Sequence, residues 1–350
     1  MYIRKSSWGY SKWNTRTYGR VKLRAAVSAT YRYLPKQIMT NHDLEKMVDT
    51  SDEWIQSRTG IAERRVVSEG ETTSDMCTHI AKGLLEQSNT DPNEVEVIII
   101  ATVTPDMPTP ATASLVQNRI GANNAWGFDL SGACTGFIYA LDTGTRLVES
   151  GKYKKVMVIG VDTMSAVLDY TDRNTCVLFG DGGGGIMLEP AENEENGIID
   201  SILRTDGSGA DYLKISGGGS LHPASHDTVD QNLHYIRQDG KVVFKYAVKG
   251  MADISEEILI KNNIKSSSID LYVPHQANKR IIDSAAKRCG FIDDQVYINI
   301  NRYGNTTAGT IPICLDEAVE SGRINKGSLI LLAAFGAGFT WGSMLIRWGK

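Results

Sequence analysis

The sequence contains no CxxC pair. Its five cysteines (Cys77, Cys134, Cys176, Cys289 and Cys314) are odd in number and scattered through 350 residues. That argues against a disulfide-framed secreted module, a zinc ribbon and a thioredoxin-type redox motif, and favours reduced cysteines in a cytoplasmic setting. No apolar run approaches the roughly 18 residues a membrane helix requires. The longest runs, near 95–104 and 328–339, are strand-sized. A membrane partner is therefore not expected, and the N-terminus lacks the apolar stretch of a secretory signal. Charge is also unevenly spread. Residues 1–20 hold five of the 37 basic residues and none of the 41 acidic ones, leaving −9 on the remaining 330. That is a poor electrostatic footprint for nucleic acid, so no nucleic-acid partner is expected.

Two ligand motifs fail on inspection. GDGGGG (180–185) has the spacing of a dinucleotide fingerprint, but it leads into IMLEP and not into a phosphate-capping helix. His222 and His226 are four apart, yet HPASH sits in a Gly-rich stretch without the glutamate of a metalloprotease helix. No metal and no cofactor are expected.

Hydrophobic residues make up 41% of the chain, enough for a large core without staples. Residues 1–20, rich in Arg, Ser, Tyr and Trp, have the acid-poor composition of a transit peptide but no clean amphipathic period. They read instead as a flexible extension or an upstream start. From residue 21 strand and helix patterns alternate, which predicts α/β architecture with parallel sheets sandwiched by helices. Residues 40–59 read as one helix, with Thr50 and Glu53 at capping-box spacing. EVEVIIIATVT reads as a buried strand and TGFIYALDTGTRLVES as an amphipathic helix. Near 190–235 the chain turns polar and Gly-rich, which marks a boundary and a long surface excursion. Two halves of similar rhythm follow from this, 21–193 and 194–350.

Three residues stand at strand-to-helix junctions. Cys134 closes the strand FDLSGA and opens a helix, where the helix dipole favours a thiolate; the ordinary fate of such a cysteine is a small core residue. His275 lies at a strand end in LYVPHQANKRI, on the sheet edge where α/β enzymes gather ligands, or is a hydrogen-bonded structural histidine. Asn305, in NRYGNTTAGTIP, follows the predicted strand VYINI and precedes a helix, where an asparagine is commonly a turn or cap residue. A Cys, a His and an Asn together at such junctions are less easily dismissed than any one of them. The glycine turn FGAGFTWG (335–342) can offer backbone N–H groups to an oxyanion.

DTSDEWIQSRTGI, DLSGACTGF, LFGDGGGG, PHQAN, GNTTAG and FGAGFTWGSMLIRW resemble, in order and spacing, the β-ketoacyl-acyl-carrier-protein synthase III family, from about residue 22 to the C-terminus. The resemblance implies a duplicated, five-layer αβαβα thiolase-like fold in a homodimer. It implies an acyltransferase that condenses an acyl-CoA primer with malonyl-acyl-carrier-protein, with a related synthase III-like acyltransferase or condensing enzyme of secondary metabolism as the alternative. Cys134 would be the nucleophile, completed by His275 and Asn305, with the backbone N–H groups of Cys134 and Ala337 as the oxyanion hole. Trp54 and Arg173 would sandwich the adenine of CoA, Arg58 would lie on its phosphate side, and Gly240 and Asn278 would border the pantetheine arm. Thr109 and Phe335 would shape the acyl pocket, Thr109 across the dimer. A threonine where short-primer members carry phenylalanine suggests longer or branched primers. Lys245, Arg280 and Lys287 would greet the acidic carrier protein. Ala337 departs from the glycine usual in that turn but keeps its N–H.

Overall fold

The computed structural model describes residues 23–349; the basic N-terminal extension lies outside them. The first half runs β1 (Ala25–Tyr33), β2 (Gln37–Thr40), α1 (Asn41–Leu44), α2 (Asp52–Thr59), β3 (Glu63–Val66), α3 (Thr73–Ser88), β4 (Val97–Ala101), α4 (Thr112–Ile120), β5 (Trp126–Leu130), α5 (Gly136–Glu149), β6 (Val156–Asp162) and β7 (Gly182–Pro190). The second runs β8 (Gly197–Thr205), β9 (Leu213–Ile215), α6 (His226–Asp230), β10 (Ile236–Gln238), α7 (Gly240–Lys261), β11 (Leu271–Pro274), α8 (Lys279–Cys289), α9 (Ile300–Tyr303), α10 (Thr310–Glu320), β12 (Leu329–Gly336) and β13 (Thr340–Arg347).

Two sheets carry the fold. One has the order β1-β7-β6-β4-β5 and the other β11-β12-β13-β8. Read from β8, the second repeats the first: two antiparallel pairings, then a parallel one. The fifth position, held by β5 in the first sheet, is reduced in the second to one parallel bridge between Tyr272 and Val296. VYINI is therefore not a strand, and both sheets are mixed where parallel ones were expected. The mistake has a simple cause. Strands buried on both faces, such as β6 and β12, are apolar throughout, and their sequence does not report direction.

Side-chain alternation along these strands separates the layers. Val97, Ile99 and Ala101 face the central layer, while Ile98 and Ile100 face outward onto α3 and α4. On the second sheet Ile330, Leu332 and Ala334 face the centre, and Leu329, Leu331 and Ala333 face α7 and α8. The central layer is α5 and α10, whose Phe137, Ile138, Leu141, Ile311 and Leu315 join one core with both sheets. Each such fully buried side chain contributes about 1.5–3 kcal/mol. The arrangement is αβαβα.

The glycines of β7 serve this packing. A Cβ at Gly183 would lie 2.5 Å from the Gly160 carbonyl oxygen, and one at Gly184 would lie 2.9 Å from the Pro312 carbonyl carbon. GDGGGG is a strand pressed between layers and not a phosphate loop. Elsewhere, caps fix the boundaries. Thr40 and Asp43 form a capping box on α1; Ser51, not Thr50, accepts the Trp54 N–H at the start of α2. The expected single helix over 40–59 is thus two short ones. Helix α4 has no side-chain cap of its own, and the Asp129 carboxylate on β5 accepts its Thr112 and Ala113 N–H groups at 2.6 and 2.9 Å.

Candidate active site

The C-terminal ends of the central strands open onto a cavity of about 860 Å³, lined mainly by apolar side chains. Cys134, His275 and Asn305 all line it, and all three are buried. Each is placed by a different local device.

Cys134 sits in a single 3-10 turn, Ala133–Thr135, between β5 and α5. The turn starts with Ala133 at φ +47°, the left-handed region that a Cβ disfavours. Thr135 holds it by donating its hydroxyl to the Thr340 carbonyl at 3.1 Å. The last residue of β12 presses on Cys134: a Cβ at Gly336 would stand 2.8 Å from the Cys134 nitrogen. Only glycine permits that approach, and Ala337 follows on the cavity wall.

His275 follows β11, and its N–H donates to the Ala333 carbonyl at 2.8 Å. Its Nδ1 is 2.6 Å from the Thr310 hydroxyl, while its buried Nε2 has no hydrogen-bond partner among the described residues. Asn305 does not follow a strand. Its backbone is stitched to the first half through the Leu178 carbonyl and the Gly180 N–H, at 2.9 and 3.1 Å. Its Oδ1 accepts the Thr307 N–H at 2.9 Å, which leaves the Nδ2 hydrogens as donors for the cavity.

Asp162, at the end of β6, organises this region and was not singled out in the sequence. One of its oxygens accepts from the hydroxyls of Thr102 and Thr104 and from the Val103 N–H at 2.7–3.0 Å. The other accepts from the Thr307 hydroxyl and the Ala308 N–H. These bonds hold Thr307 at φ +48°, a second left-handed non-glycine residue beside the site. The available signal was an acid ending an otherwise apolar strand (VMVIGVD).

Electrostatics correct one expectation. Burial pushes the Cys134 thiol up to about 12; the Asp162 charge adds to this and a backbone N–H opposes it. Burial also lowers the His275 imidazole to about 3. Burial thus favours a neutral thiol and a neutral imidazole, and desolvation opposes the helix terminus on which the thiolate expectation rests.

The remaining predicted residues divide. Trp54, Arg58, Arg173, Gly240, Asn278 and Phe335 line the cavity. The Arg173 guanidinium lies 5.4 Å from the centre of the Trp54 ring and donates to the Asp49 carbonyl at 2.7 Å. Asn278 is already engaged: its Oδ1 accepts the Arg280 N–H, capping α8, and its Nδ2 donates to the Arg58 carbonyl. Thr109 is exposed and is not among the residues lining the cavity of its own chain. Lys245 on α7 and Arg280 and Lys287 on α8 are exposed, with Arg280 over the Phe244 ring at 5.1 Å. The polar excursion is not only surface. It begins after the core strand β8, and its hairpin β9–β10 puts Leu213, Ile215 and Ile236 on the cavity wall. Arg237 ties it down to Asp169 and Asp172 at 3.0 and 3.3 Å. Among the described residues no cluster of three His, Cys, Asp or Glu side chains could hold a metal.

Two family models match the chain: 3-oxoacyl-[acyl-carrier-protein (ACP)] synthase III over residues 128–207 and its C-terminal counterpart over 259–348. A Chlorobaculum tepidum protein named beta-ketoacyl-[acyl-carrier-protein] synthase III is 56% identical over 328 residues, 93% of this chain and 100% of that one. The crystal structure of 3-oxoacyl-[acyl-carrier-protein] synthase III from Aquifex aeolicus superposes with a TM-score of 0.85 at 43% identity, covering 93% of this chain and 100% of that one. The priming β-ketosynthase of the R1128 polyketide biosynthetic pathway superposes at 0.86 with 32% identity, covering 95% of this chain and 98% of that one.

The neutral resting thiol has a measurable consequence. Alkylation at Cys134, read by peptide mass spectrometry, should rise about tenfold per pH unit from pH 6 to 9, because the thiolate is the nucleophile. A rate that levels off by pH 7 would mean a preformed thiolate.

Proposed function

Because the chain belongs to the 3-oxoacyl-[acyl-carrier-protein] synthase III family, we propose that it condenses an acyl-CoA primer with malonyl-acyl-carrier-protein, releasing CoA and CO2, and so initiates fatty-acid synthesis. The observation that carries this reading is the meeting of Cys134, His275 and Asn305 on one apolar cavity beside the Gly336–Ala337 turn. The polyketide alternative is less favoured, at 32% identity against 56%.

The chemistry follows from the residue types. The Cys134 sulfur attacks the thioester carbonyl carbon, the bond to the CoA sulfur breaks, and the thiol proton ends on that sulfur. The N–H groups of Cys134 and Ala337 hold the developing oxyanion. Malonyl-carrier-protein then binds, and His275 Nε2 and Asn305 Nδ2 donate to its thioester oxygen. The carboxylate carbon departs as CO2, and its bonding pair forms an enolate. The enolate carbon attacks the acyl carbonyl, and the Cys134 sulfur leaves to regain a proton. Loss of CO2 itself generates the carbanion, so the step calls for no metal or cofactor.

Substrate contacts extend the same proposal. For Trp54 and Arg173 to sandwich adenine they must open from 5.4 Å to about 7 Å, two van der Waals contacts of about 3.5 Å each. Arg58, Gly240 and Asn278 border the path of the phosphates and pantetheine. Lys245, Arg280 and Lys287 give an acidic carrier protein a basic landing site around the cavity-lining Phe244 and Ile281. A homodimer fits the edge strand β5, which has Trp126 44% exposed. Exposed Thr109 would then reach the partner's acyl pocket. A cytoplasmic location matches these substrates.

Radiolabelled acyl-CoA should label Cys134, and malonyl-carrier-protein should chase that label into β-ketoacyl product. Cys134→Ala should abolish labelling. His275→Ala should keep most of the acylation and lose condensation by about 10²-fold or more; unimpaired condensation would remove the imidazole from its role. Steady-state rates should favour longer or branched primers over acetyl-CoA, and a strong acetyl preference would contradict the reading of Thr109.

A further inference from the structure

A neutral imidazole carries one hydrogen, and the position of that hydrogen decides whether the ring gives or takes a hydrogen bond in the cavity. On His275 the choice is made behind the ring, out of contact with substrate. Nδ1 faces the Thr310 hydroxyl at 2.6 Å, and Nε2 is buried without a partner among the described residues. Thr310 opens α10 and is itself buried. Its hydroxyl oxygen also lies 3.3 Å from the Thr307 carbonyl, so one hydrogen has two possible acceptors. The reverse relay, in which Nδ1–H donates to the hydroxyl and the hydroxyl to the Thr307 carbonyl, is disfavoured: that carbonyl already accepts the Thr310 backbone N–H, and it lies 0.7 Å farther from the hydroxyl than Nδ1 does.

We infer that Thr310 is a positioning residue: its hydroxyl donates to His275 Nδ1, which places the ring hydrogen on Nε2, where it is offered to the thioester oxygen of the second substrate. The inference rests on the condensing reading above and deepens it. The residue type matters. A carboxylate in this place would draw the hydrogen to Nδ1 and leave Nε2 an acceptor, whereas an aliphatic side chain would leave Nδ1 buried and unpaired. The arrangement separates the two half-reactions. Attack by Cys134 on the primer uses the Cys134 and Ala337 N–H groups and does not need the Nε2 hydrogen, but enolate formation does.

Two variants and one spectroscopic reading test this. Thr310→Val keeps the shape and removes the hydroxyl; Thr310→Ser keeps the hydroxyl. Acyl-Cys134 formation from labelled acyl-CoA and condensation by pre-acylated enzyme are timed separately. Thr310→Val should slow condensation about 10²-fold and leave acylation within about threefold, while Thr310→Ser should recover condensation to within about threefold. In the resting enzyme, 15N spectra assigned with His275→Ala should show Nε2 protonated and Nδ1 bare. Condensation by Thr310→Val at the unsubstituted rate, equal loss of both half-reactions, failure of serine to rescue, or a protonated Nδ1 would each overturn the inference. Absence of condensation in the unsubstituted enzyme would instead sink the condensing reading, and the nitrogen spectra would still decide the tautomer.

Discussion

Five hydrogen-bond donors converge on the buried carboxylate of Asp162, from two segments that are far apart in sequence. Thr102, Val103 and Thr104 approach from the loop after β4, and Thr307 and Ala308 from the loop before α10. Burial raises the carboxyl above its ordinary range and the donors pull it back. An ionised oxygen pair is the group that can use five donors at once. The consequence is geometric. The first sheet ends on a charge that the second half of the chain must cover with its own N–H and hydroxyl. The same loop carries Asn305, whose Oδ1 is held by the Thr307 N–H, and leads into Thr310, which faces His275. The carboxylate thus joins the halves beside Asn305 and His275.

Around that one charge the site is built from neutral groups. The thiol and the imidazole are both pushed toward their uncharged forms by burial, and their supports are backbone N–H groups, hydroxyls and an amide. Such a site suits a reaction in which charge develops on a thioester oxygen, since preorganised dipoles need not reorganise as it forms. Two strained residues stand at the site: Ala133 and Thr307 both take left-handed conformations, one immediately before Cys134 and the other two residues after Asn305, and bonds that cross between the halves hold both turns.

Much of this was legible in the chain. The alternation of buried strands and amphipathic helices gave the layers, because Val97–Ala101 and residues 156–161 are too uniformly apolar to be anything but covered on both faces. Cys134 and His275 were visible as reactive types at element junctions. What escaped was set by contacts remote in sequence. Strand direction depends on partners, so β1, β7, β8 and β13 could not be recognised as antiparallel. The break within 40–59 turned on Ser51 displacing Thr50 as the cap, a shift of one residue between equivalent side chains. Asp162 and Thr310 belong to types that serve at countless turns and caps, and only the approach of the second half gives them a role. The helix dipole argument for Cys134 left burial out of account, because a sequence does not report how deeply a sulfur is buried.

The Asp162 carboxylate, by binding both halves, fixes how Asn305 and Thr310 stand against the first sheet. The most direct measurement is the condensation turnover of Asp162→Asn, with circular dichroism to show that the variant is folded. An amide keeps the volume but turns an N–H toward one set of donors, leaving a backbone N–H unpaired at a cost of about 1–3 kcal/mol. A folded variant whose turnover falls at least about tenfold, the equivalent of 1.4 kcal/mol, is the expected result. A folded variant turning over at the unsubstituted rate would contradict the account.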